Sequence, residues 1–84
     1  MAELTSMMNI GIEMAKKLKS VGIYSAEELL AAGPEQAFAR LKKQYPQVCL
    51  VHLYALEGAV SHTEFNSLSV EKKQNLKAFS DALR

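Results

Sequence analysis

Apolar side chains recur at two different rhythms along this chain. The run from Val48 to Ser61, VCLVHLYALEGAVS, carries no charge up to Leu56 and places apolar residues on every face. A helix apolar on all sides belongs inside other helices, whereas a surface helix shows one apolar stripe. The run is too long for one strand, and its Ala, Leu and Glu content favours helix. It predicts a buried central helix. Gly58 inside it costs about 1 kcal/mol relative to Ala, so a neighbouring helix crossing closely is expected there.

Elsewhere the apolar residues follow the i, i+3, i+4 spacing of amphipathic helices. Leu4 to Met8 reads as one or two helical turns, followed by a tight turn at Asn9-Ile10-Gly11. A helix over 12–20 turns Met14, Ala15, Leu18 and Val21 inward. Glu13, Lys16 and Lys17 point outward, with Glu13 placed to pair with Lys17. Gly22 stops that helix as a left-handed cap, and Ile23 and Tyr24 return to the core. Ser25 to Glu28 forms a capping box for a helix over 26–32. Gly33 ends it, and Pro34 opens a helix to Gln44 that buries Ala37, Phe38, Leu41 and Tyr45 and exposes Gln36, Arg40 and Lys43. Pro46 breaks the chain before the central helix. His62 to Leu68 is a loop tucked down by Phe65 and Leu68. Ser69 caps a last helix over 70–83, with Glu71 near its positive end and Leu76, Phe79, Ala82 and Leu83 inward. The expected fold is all-α: one compact domain, residues 1–84, of five helices around a buried central one.

Composition narrows the function classes. The 84 residues are 49% hydrophobic and 23% charged with a formal net charge of +1, so there is no bulk signature of a nucleic-acid or membrane binder. The single cysteine, Cys49, excludes an internal disulfide framework and fits a reducing cytoplasm. The start lacks the pattern of a signal peptide, and no run is long enough to span a bilayer. Cys49 and His52 stand i, i+3 on a helix, but two ligands do not make a zinc site and His62 lies at the far end. A buried thiol beside a packed imidazole is the expected arrangement. There is one aspartate, and no paired carboxylates, nucleotide loop or triad-like set, so no enzyme, metal or cofactor is expected.

The pattern Leu4-x-x-Met7-x-Asn9-Ile10-Gly11-x-x-x-Ala15-x-x-Leu18-x-x-x-Gly22-Ile23 resembles the helix-hairpin-helix motif. Such a hairpin implies backbone amides at a helix N-terminus that seat a phosphate. The nucleic-acid contacts so implied are Asn9, Ile10 and Gly11, with Lys16 and Lys17 adding charge. Asn9 replaces the usual first glycine, and Glu13 near the mouth competes with a phosphate. Met7 and Met8 beside the turn are the candidate contacts for a protein partner.

Taken together, Met7-x-Asn9-Ile10-Gly11, Gly22-Ile23, Cys49-Leu50, Leu53-Tyr54-Ala55-Leu56-Glu57-Gly58-Ala59 and Leu76-Lys77 resemble the C-terminal domain of TfoX-type competence regulators. The resemblance covers nearly the whole chain, here as a stand-alone domain. It implies a bacterial, cytoplasmic, all-helical domain in proteins that promote expression of DNA-uptake genes. The leading expectation is a non-enzymatic regulatory or adaptor domain that binds another macromolecule, a protein. The alternative is a sequence-independent DNA-binding module contacting backbone phosphates.

Overall fold

A computed structural model describes residues 2–83. After a 3-10 turn at Leu4–Ser6 come α1 (Ile12–Ser20), α2 (Ala26–Ala32), α3 (Pro34–Gln44) and α4 (Leu50–Ser61). A second 3-10 turn at Phe65–Ser67 leads to α5 (Val70–Ala82). Among the described residues there is no strand, so the all-α expectation holds. The residues before the corner form one 3-10 turn rather than an α-helix, so the hairpin lacks a first helix of normal length.

Local chemistry fixes the helix ends. Gly22 takes φ 91°, the Ile23 amide donates to the Leu18 carbonyl at 2.9 Å, and the Gly22 amide donates to that of Lys19 at 3.1 Å. This is a Schellman closure, and its apolar clasp is the buried pair Leu18 and Ile23. Tyr24, expected in the core, is 62% exposed. Ile23 fills the inward seat, and the next side chain of an extended segment leaves on the opposite side. Ser25 accepts from the Glu28 amide at 3.2 Å, but Glu28 reaches back to the Tyr24 amide at 2.6 Å instead of that of Ser25. Ser69 caps α5 by accepting from the Lys72 amide at 3.1 Å.

The core lies between α3 and α4. Phe38 and Leu41 of α3 meet Leu53 and Leu56 of α4, all wholly buried. α4 also packs on α5 and the second 3-10 turn, while α2 lies on α3. The centre is thus shared by two helices. α4 is not covered all round: Val51 is 53% exposed and Cys49 is exposed, which corrects the expected buried thiol. Two other apolar expectations fail at the periphery. Phe65 is 41% exposed while Leu68 is half-buried. The C-terminal end of α5 leaves Ala82 and Leu83 exposed, with Leu83 lining a shallow concavity beside Ala39, Lys42 and Lys43. Among the described residues no helix is long and apolar enough to cross a membrane.

Candidate interaction surface at the Asn9–Gly11 corner

Asn9 sits in the left-handed region at φ 71° and turns the chain from the first 3-10 turn into α1. Asparagine tolerates that conformation better than other residues with a Cβ. Its side chain then reaches 54 residues ahead, donating to the Thr63 carbonyl at 3.0 Å, with the Ala55 carbonyl at 3.5 Å. The end of α4 is shaped to receive it. His62 takes φ 56°, and the Thr63 amide closes onto the Gly58 carbonyl at 2.8 Å. That closure aims the Thr63 carbonyl at Asn9. A Cβ on Gly58 would collide with both the Thr63 carbonyl oxygen and Asn9 Nδ2. The close neighbours of Gly58 are therefore Thr63, just past the end of its own helix, and the corner, rather than a crossing helix.

The clasp sets where the expected site residues lie. Asn9 is half-buried and engaged through its side chain, and Ile10 is buried with its amide directed to the Met7 carbonyl at 3.3 Å. Gly11 is exposed as the N-cap of α1, with no side chain to cap the first amides. Lys16 is exposed. Lys17 does not pair with Glu13: its ammonium stands 5.7 Å from the centroid of the Tyr45 ring, and the ion pairs among the described residues are Lys72–Glu57 and Lys77–Asp81. The two methionines diverge, Met7 packing against the core and Met8 facing outward.

Beside the corner lies a concavity of about 420 Å³ lined by Gly11, Ile12, Glu13, Met14, Lys17 and His52. The corner thus brings Gly11 and Lys17 together, while Asn9 and Ile10 serve as its frame. Ile12, 68% exposed at the first position of α1, is a surface feature that the sequence reading passed over. The available signal was an apolar residue outside the 14-15-18-21 stripe.

His52 belongs to the cap of α4. Its Nδ1 accepts from the Cys49 amide at 3.1 Å and lies 3.5 Å from Cys49 Sγ, while the His52 amide donates to the Cys49 carbonyl at 2.9 Å. Among the described residues no three His, Cys, Asp or Glu side chains are grouped to hold a metal.

Two solved structures resemble this chain closely. One is an uncharacterized protein from Listeria monocytogenes in a triclinic form, 38% identical, with a TM-score of 0.94 over 98% of this chain and 93% of that one. The other is a protein of unknown function from Listeria monocytogenes in a tetragonal form, 37% identical, with a TM-score of 0.93 over 96% of this chain and 100% of that one. No curated protein matches the sequence. Residues 1–80 match the family described as the TfoX C-terminal domain, and the chain belongs to that family.

Proposed function

We propose that this chain is a non-enzymatic regulatory or adaptor domain that acts in the cytoplasm by binding another protein at the Asn9–Gly11 corner. Its family points to the regulation of competence as the setting. The observation that carries the reading is Ile12, an aliphatic side chain 68% exposed at the edge of a concavity on a pinned frame. Single exposed aliphatics are ordinary. Here Met8, next to Asn9, and Val51, next to His52, are exposed as well, so the corner offers apolar surface from two elements. Cys49 and His52, the i, i+3 pair weighed as metal ligands, stand at the N-terminal cap of α4.

The second reading is phosphate binding at the uncapped N-terminus of α1, favoured by the free amides after Gly11. Glu13 in the same concavity and Lys17 lying over Tyr45 weigh against it.

Capture of a protein partner from a bacterial lysate tests the proposal. The immobilised chain is expected to retain a specific partner, and Ile12→Asp to lose it while the helical circular-dichroism signal stays unchanged. Equal capture by Ile12→Asp would place the surface elsewhere. A titration with arbitrary duplex DNA decides the second reading. Binding that weakens steeply with salt, and further in Lys16→Glu/Lys17→Glu, would favour phosphate contact. No binding at low salt would remove it.

A further inference from the structure

The basic residues of this chain are unevenly placed. Segments 14–26 and 36–56 contain no aspartate or glutamate. They hold Lys16, Lys17, Lys19, Arg40, Lys42 and Lys43, six of the ten lysines and arginines. The fold brings these segments together. Ser20 Oγ and the Tyr45 hydroxyl hydrogen-bond at 2.6 Å, and Lys17 lies over the Tyr45 ring, so the C-terminal ends of α1 and α3 stand side by side. Lys42 is held in place by donating to the Pro46 carbonyl at 2.9 Å and the Val48 carbonyl at 2.8 Å. Two carboxylates share concavities with these lysines. Asp81 lies with Lys42 and is paired with Lys77 at 3.0 Å, and Glu13 lines the same concavity as Lys17. A molecule of net charge +1 therefore gathers a lysine cluster at one end.

That end is continuous with the corner, because Lys17 lines the same concavity as Ile12, Met14 and His52. Charge alone would suit any polyanion. An apolar recess adjoining it does not suit a nucleic-acid backbone, which has no side chain to fill it. We infer that the partner's docking element is an acidic peptide segment with one apolar anchor. The anchor seats between Ile12, Met14 and His52, and the acidic residues run across the lysines at the ends of α1 and α3. The inference rests on the protein-binding reading of the corner and names the chemistry of what docks there. Long-range attraction of this kind sets encounter rate and register, while the anchor supplies contact energy.

The test uses the whole chain and three fluorescein-labelled probes followed by anisotropy: a hexaglutamate peptide bearing one leucine, the hexaglutamate alone, and an arbitrary DNA duplex. The leucine-bearing peptide is expected to bind best, and its affinity to fall with salt. Lys19→Glu/Lys43→Glu, at two exposed positions, is expected to weaken it about tenfold. Ile12→Asp is expected to abolish the advantage of the leucine. Helical content of each variant is checked by circular dichroism, and Lys19→Gln/Lys43→Gln serves as the milder charge change. Absence of peptide binding at low salt, indifference to the charge reversal, or tighter binding of the duplex that ignores Ile12→Asp would each overturn the inference. The captured protein partner separates the two levels. Loss with Ile12→Asp but not with the charge reversal leaves the corner reading standing and this inference refuted. Retention by Ile12→Asp refutes the corner reading itself.

Discussion

Gly58 shows how one missing methyl shapes the surface. An alanine there would gain about 1 kcal/mol of helix propensity. Its Cβ would strike the Thr63 carbonyl and Asn9 Nδ2, and forcing atoms into filled space costs about 1–3 kcal/mol. We expect Gly58→Ala to lower stability by up to about 2 kcal/mol net in urea denaturation. In an Asn9→Gly background, which keeps the left-handed turn but removes one obstruction, the same change should cost less. An equal cost in both backgrounds would show that Asn9 does not set the fit. Glu27 is a second residue with a defined role. Its own backbone amide, and then the Ala2 amide at 3.0 and 3.2 Å from its two oxygens, hold its carboxyl below the ordinary value. A lowered folded-state value means the contribution is present at neutral pH and is lost as pH falls through that lowered value. The stability difference between the wild type and Glu27→Gln should therefore close in acid. A difference that persists in acid would assign it to packing.

At the level of elements, the division between covered and open faces of α4 makes a sharp expectation. Leu53 is wholly buried against α3, so Leu53→Ala should cost about 2–5 kcal/mol. Val51, two residues earlier and 53% exposed, should change stability by less than about 0.5 kcal/mol when made Ala. Comparable losses in thermal denaturation would mean that the outer face of α4 is covered in solution. The boundaries of every α-helix were legible within about two residues, because their signals are local: Gly22 and Gly33 as stops, Ser25 and Ser69 as caps, Pro34 at a first position. Side-chain direction was less legible. The apolar run in α4 signals hydrophobicity but not which neighbours cover which side, so Val51 and Cys49 were expected inside. Tyr24 and Phe65 stand in short extended or turn segments, where no helical period says which way a ring points. The corner was visible as Asn9-Ile10-Gly11, but its partner Thr63 was not, since no local rule links residues 54 positions apart.

The whole molecule has a Cα radius of gyration of 11.6 Å, and its candidate contact surface is assembled from distant parts of the chain. Gly11 to Lys17 belong to the first quarter, His52 to the third, and the lysine end joins α1 to α3. The hydrogen bond from Asn9 to Thr63 has a consequence for timing. Contacts between remote residues must wait for the loop between them to close. A nascent polypeptide still lacking Thr63 has no acceptor for that bond, so the corner takes its final form only in molecules whose synthesis has passed that point.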